Sequence, residues 1–163
     1  MSKIKKAYIA GGCFWGMEDL FRVRPGVTDT EVIYIGGIND NPTYRNHPGH
    51  AEGIEITYNT EVTSFKKILD FFFRIHNPTT VDRQGNDIGS SYRSAIFIQD
   101  EEEKKVAEEV IDIVNKSGRW GEMVATTLEP FSTPWAAEES HQDYLVKNPN
   151  GYTCHHERFG SFL

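Results

Sequence analysis

Alternation and helical spacing divide the chain into strands and helices in a simple order. Lys5 to Ala10 reads as a short strand, and from Trp15 to Arg24 the apolar positions Met17, Leu20 and Phe21 recur at helical spacing until Pro25 and Gly26 stop them. Val27 to Ile35, rich in Val, Ile, Tyr and Thr, predicts a strand that Gly36 and Gly37 end; a loop with two prolines follows, from Ile38 to Gly49. Ala51 to Tyr58 alternates, with Glu52, Ile54, Ile56 and Tyr58 on one face and Glu55 and Thr57 on the other, the pattern of a half-buried strand. Ser64 to Ile75 predicts a helix with a serine start and apolar positions Phe65, Ile68, Leu69 and Phe72. The polar stretch NPTTVDRQGNDIGSSY is a long loop, and long loops in compact domains tend to be functional.

Ser94 to Ile98 reads as a buried strand and Glu101 to Lys116 as a helix ended by Gly118. Its EEEKK run offers an i,i+4 pair, Glu101 with Lys105, and reads as a solvated helix face. Met123 to Glu129 predicts one more strand, and the tail from Ser140 is mostly irregular. The resulting order predicts an α+β fold: a two-layer sandwich with a ferredoxin-like core of mixed sheet, helices on one side and an irregular C-terminal tail. No repeat, low-complexity tract or linker interrupts it, so one domain over residues 1–163 is expected, long enough to bury its own core.

Charge narrows the partners. The balance of 17 Lys+Arg against 24 Asp+Glu gives a net charge of -7, opposite to the basic footprint of a nucleic-acid binder. KIKK followed by the uncharged run from Ala7 to Met17 loosely mimics a signal peptide, but glycines break that run, leucine is absent from it, and Glu18 and Asp19 follow at once. No stretch reaches the length of a membrane span. A cytoplasmic monomer is expected, in which the two cysteines serve catalysis or redox sensing rather than a permanent staple.

The first cysteine sits in GGCFWGME, at the predicted turn from strand to helix. A thiol there meets unpaired helix N–H groups and the positive end of the dipole, which favour thiolate. The glycines at 11, 12 and 16 would let a substrate approach the backbone, and Phe14 and Trp15 would supply an apolar wall. Burial as a small hydrophobe is the plain alternative for Cys13.

GGCFWGME resembles the GCFWG motif of the class A peptide methionine sulfoxide reductases. YIGG (34–37), NPTY (41–44), GHAE (49–52), RQGNDIGSSYRSAI (83–96) and HQDYL (141–145) extend that resemblance over most of the chain. It implies an α+β enzyme, one catalytic domain, that reduces the S epimer of methionine sulfoxide with a cysteine and no cofactor.

Thiolate attack on the sulfoxide sulfur puts negative charge on the oxygen, so a proton donor must stand close by. Glu52, on an apolar strand face that disfavours its charge, is the candidate acid, whereas an ordinary strand-end glutamate would turn to water. The resemblance puts Tyr44 and Tyr92 in the pocket as hydrogen-bond donors to the oxygen; sequence alone does not separate them from the other tyrosines. It also matches Asp87 to a loop aspartate that holds backbone or water, equally an Asx-turn residue. Phe14 and Trp15 would house the methyl group, or serve as core. His50 lines the site or caps its loop.

After oxygen transfer Cys13 carries a sulfenic acid, which condenses with a thiol. Cys154, in NPNGYTCHH, is the resolving candidate, and the family's usual donor, thioredoxin, would reduce the disulfide. Two departures stand out: only RNHP separates NPTY from GHAE, and Ser140 precedes His141 where an aromatic is common. Two rival readings are a cysteine hydrolase built on Cys13 and a histidine base, and a metal-binding module through His141, Cys154, His155 and His156.

Overall fold

The computed structural model describes residues 3–153 and 155–163. In chain order the elements are β1 (Ile4–Gly11), α1 (Phe14–Arg22), β2 (Val27–Ile35), β3 (Ala51–Asn59), α2 (Phe65–Ile75), β4 (Arg83–Gln84), β5 (Asp87–Ile88), β6 (Ser94–Ile98), α3 (Glu101–Ser117), β7 (Thr127–Pro130), β8 (Trp135–Ala136) and α4 (Tyr144–Lys147). Helix α1 carries the chain from β1 to β2 and α2 carries it from β3 to β6, and in each case one strand lies between the two that are joined. The result is the ferredoxin-like order β6-β1-β3-β2, antiparallel throughout. Strand β7 adds parallel to β6 and makes the sheet mixed; β8 closes the other edge against β2.

Alternation along the strands sorts the core. Ala7, Ile9, Val32, Tyr34, Ile54, Ile56, Tyr58 and Ile96 point to the layer that holds the buried faces of α1, α2 and α3. The opposite face carries Tyr8, Ala10, Ile33, Ile35, Ala95 and Phe97. The expected sandwich with helices on one side is therefore observed.

Local chemistry explains the helix ends. Ser64 Oγ accepts the Lys67 N–H at 3.2 Å, and Asp100 Oδ1 accepts the Glu103 N–H at 2.8 Å. Gly118 ends α3 in the left-handed conformation, φ +66°. Among the described residues, no helix is long and apolar enough to cross a membrane.

Two stretches differ from expectation. The strand expected from Met123 starts only at Thr127, because the Val124 and Ala125 N–H groups donate to the Asn115 side chain and the Pro78 carbonyl instead of a neighbouring strand. The tail after Ser140 has little regular structure, as expected, yet it is firmly tied. Gln142 pairs with both backbone groups of Val32 through its amide, at 2.9 Å each, and so takes the place of a strand neighbour.

Further on, the tail docks on the end of α2. Arg74 bonds Asp70 at 3.1 Å, Glu157 at 2.8 Å and the Phe159 carbonyl at 3.1 Å, while Asp70 also accepts the Phe162 N–H at 2.7 Å. Phe159 packs edge-on against Trp120. Since Asp70 and Arg74 are both nearly buried, removing the Asp70 charge leaves Arg74 with the more exposed Glu157 as its counter-charge. Asp70→Asn is expected to cost about 3 kcal/mol in urea unfolding. The same variant should speed hydrogen exchange at Arg158 and Phe162.

Candidate active site

Strand β1 delivers the chain to the site. After Gly11 it turns through Gly12, at φ +100°, and Cys13 becomes the residue that precedes the first turn of α1. Cys13 is 7 % exposed, close to the positive end of the helix.

Glu52 reaches the same point from β3, the strand paired on both sides at the middle of the sheet. It stands opposite Tyr34 of β2 and shares the helix-side face with Ile54, Ile56 and Tyr58. Its carboxyl is 2 % exposed and accepts the Phe14 N–H at 3.3 Å. Burial drives its pKa up to about 8, and the charge of Asp87 adds to the rise; the Phe14 N–H opposes it and loses. A carboxylic acid whose pKa burial has raised therefore holds the N–H of the residue that follows the thiol.

The tyrosines come from two loops. Tyr44 lies in the segment between β2 and β3, and Tyr92 in the tight turn 90–92 before β6. Both are held above the usual phenol range by burial and then by the charge of Glu52, and Tyr44 acts electrostatically on Tyr92. Cys13 and Asp87 also act on Tyr44 electrostatically. The fold thus brings Cys13, Glu52, Tyr44, Tyr92 and Asp87 into one group. Asp87, beside the turn of the β4–β5 hairpin, accepts the Tyr152 hydroxyl at 3.1 Å.

The aromatic residues of the motif divide in role. Phe14 has none of its surface exposed and packs between Tyr34 and His141, with ring centroids at 5.6 and 5.4 Å. Trp15 is partly exposed; its ring lies flat on Tyr144 at 3.7 Å and its N–H donates to His141 Nδ1 at 3.0 Å. His50 caps its loop, accepting the Gly37 N–H and donating to the Asn39 carbonyl.

The glycines do not serve the purpose expected of them. A Cβ on Gly12 would fall 2.6 Å from Gln84 Cγ, and one on Gly11 would crowd Phe72 and Met17 at 2.9 and 3.0 Å. At Gly16 it would collide with His155 Nδ1 and Thr153 Oγ1. Space that was expected to admit a substrate is occupied by the chain's own side chains, and at Gly16 by the tail. His155 Nε2–H donates to the Gly11 carbonyl at 2.7 Å, and burial lowers its pKa to about 4, so the ring stays neutral. Cys154 lies outside the described residues; Thr153 and His155 on either side of it both border Gly16.

Other residues at the site carry no sequence signal of their own. Glu18, 1 % exposed, accepts the Asp143 N–H at 2.7 Å and the Thr30 hydroxyl at 2.9 Å, binding α1 to β2 and to the tail. Glu138 accepts the Tyr34 hydroxyl and the Tyr44 N–H. The histidines of the metal reading are spent elsewhere: His141 on Trp15 and His155 on Gly11. Among the described residues, no three His, Cys, Asp or Glu side chains converge as metal ligands.

A cysteine that precedes a helix, a buried carboxyl bonded to the first N–H of that helix and two phenols under its influence come together on a ferredoxin-like sheet. The chain matches the family model described as peptide methionine sulfoxide reductase over residues 5–161, and it belongs to that family. It is 59% identical over 158 residues to a peptide methionine sulfoxide reductase MsrA of Nocardia farcinica, covering 97% of this chain and 93% of that one. Mxr1 from Saccharomyces cerevisiae in reduced form superposes with a TM-score of 0.89 at 35% identity, covering 96% of this chain and 93% of the yeast one. Mxr1 in complex with Trx2 gives 0.67 at 26% identity, covering 96% and 91%.

Because Gly16 makes room for the tail, Gly16→Ala should leave the sheet intact and displace residues around His155. Limited proteolysis is expected to cut the tail of this variant several-fold faster than that of the parent, with little change in melting temperature.

Proposed function

We propose that the chain acts as a single catalytic domain, residues 1–163, that reduces methionine S-sulfoxide, free or in proteins, to methionine. Cys13 Sγ, as thiolate, bonds to the sulfoxide sulfur while Glu52 passes its proton to the oxygen, and the Tyr44 and Tyr92 hydroxyls donate hydrogen bonds to that oxygen as charge develops on it. The hydroxyl then passes from the substrate sulfur to Cys13 Sγ as the bond between the two sulfurs breaks, leaving the thioether and a Cys13 sulfenic acid: the substrate gains two electrons and the thiol loses two. Cys154 then attacks the Cys13 sulfur, the hydroxyl leaves as water, and a disulfide forms. A thioredoxin dithiol takes over the disulfide by exchange, a role suggested by the complex of the yeast relative with Trx2. Trp15 forms the apolar side of the methyl pocket with the fully buried Phe14 behind it, and Asp87 holds Tyr152 beside it. The cycle fits a monomer in the cytoplasm, where dithiols are kept reduced.

The observation that carries this reading is the protonated, buried carboxyl of Glu52 bonded to the first N–H of the helix that Cys13 precedes. A hydrolase has no use for an acid held protonated to about pH 8 beside its thiol, whereas oxygen removal from a sulfoxide needs one.

Three outcomes are expected. Cys13→Ser abolishes turnover. Cys154→Ser releases one methionine per enzyme and then stalls unless a small thiol rescues it; normal cycling of this variant with thioredoxin would show the resolver assignment to be wrong. The acid form of Glu52 is present below its raised pKa and lost above it, so the single-turnover rate should fall as pH rises through about 8. Glu52→Gln should be roughly a hundredfold slower and lack that limb. Quenched-flow release of methionine from each sulfoxide epimer measures all three.

A further inference from the structure

Tyr44 sits at an exposed turn, 41 % of its surface open, within a segment of little regular structure. Such a side chain would wander on its own. Within the segment Thr43 and Asn46 pair at 3.0 Å in both directions, the Asn46 N–H also reaches Thr43 Oγ1, and Asn39 donates to the Asn46 carbonyl at 3.1 Å. Yet Tyr44 lies near enough to Tyr92, in a separate turn 48 residues on, for the two phenols to act on each other electrostatically. Something outside the turn must hold it there.

The His141 ring packs on that of Tyr44 at 4.8 Å, and two further side chains fasten the turn. His47 Nδ1 lies 2.9 Å from the Thr43 carbonyl, and its Nε2 lies 2.8 Å from Ser91 Oγ, the residue next to Tyr92. A carbonyl only accepts, so Nδ1 carries the hydrogen, and in the neutral ring Nε2 accepts the Ser91 hydroxyl. A second proton on the ring would reverse the direction of that bond without removing it. The imidazole also stacks on the ring of Tyr34, at 4.9 Å and 19°, and Tyr34 is fully buried. On the other side one carboxylate spans two groups: Glu138 Oε2 accepts the Tyr44 N–H at 3.0 Å and Oε1 accepts the Tyr34 hydroxyl at 2.9 Å. Both restraints end on Tyr34, an immobile post in β2.

We infer that His47 and Glu138 are positioning residues, which clamp the Tyr44 turn between the buried Tyr34 ring and the turn that carries Tyr92. His47 lies in RNHP, the short connection between NPTY and GHAE, so the brevity of that connection is matched by a side-chain bridge that fastens it. The inference rests on the reading of Tyr44 as a ligand of the sulfoxide oxygen. Neither His47 nor Glu138 touches the reacting atoms in this scheme; each acts through Tyr44.

A double-mutant cycle on the full chain tests it, with the single-turnover rate of methionine release from methionine S-sulfoxide as the readout. His47→Ala and Glu138→Ala should each slow oxygen transfer about tenfold, the scale of a modest misplacement of a catalytic group. In a Tyr44→Phe background each should change the rate less than about twofold, since the group they position is gone. His47→Gln, which keeps a donor and an acceptor, should recover most of the loss, and reduction of the oxidised enzyme by dithiothreitol should be unaffected throughout. Equal slowing with and without the Tyr44 hydroxyl, or no slowing in the parent, overturns the clamp while leaving the oxygen-ligand reading in place. If Tyr44→Phe itself matches the parent, the oxygen-ligand reading fails and takes the clamp with it.

Discussion

The site depends on keeping a carboxyl group uncharged where the fold leaves it almost no water. Glu52 occupies β3 on the helix-side face it shares with Ile54, Ile56 and Tyr58, and its carboxyl accepts the Phe14 N–H. An ionised carboxylate there would forfeit its hydration and gain only a single N–H in return. The neutral acid forfeits much less. The strand pattern that builds the core therefore also raises the pKa of the carboxyl that the proposed chemistry uses as its acid.

Around this pair the chain spends buried polar side chains where backbone partners are missing. Gln84 closes on both backbone groups of Asn77 at 2.8 Å and packs under Gly12, Gln142 stands in for a strand beside Val32, and Glu18 gathers Thr30 and Asp143. His76, fully buried behind Gly11, joins the Phe72 carbonyl to Ser94 and onward to Thr126. Burial lowers its pKa to about 3, so it bonds as a neutral ring. Each is a satisfied polar group, the condition for burying one at all. Together they fix the turn at Gly12 and Cys13 from below and bring the tail across Gly16 from above.

Much of this was legible in the sequence wherever one face of an element decides its burial. Val27–Ile35 and Ser94–Ile98 have the predicted limits, and the alternation of Glu52 with Ile54, Ile56 and Tyr58 placed the carboxyl on the core face. The two-residue strands were not legible, since β4, β5 and β8 are too short to show a period and exist through their partners. The glycines of GGCFWG misled for a related reason: small residues announce close approach but do not say of what. Tyr44 and Tyr92 stood out only through family resemblance, because nothing local marks two loop tyrosines that meet in space. Likewise Glu138 lies 104 residues from its Tyr34 partner, a distance over which no periodic pattern carries information.

The most direct test is to titrate the Glu52 carboxyl itself in the reduced protein, by difference infrared spectroscopy against Glu52→Gln or by NMR of carboxyl-labelled glutamate. A protonated-acid signal present at pH 7 and lost near pH 8 is the expected result. A carboxylate already ionised at pH 6 would contradict it, and with it the assignment of Glu52 as the proton donor.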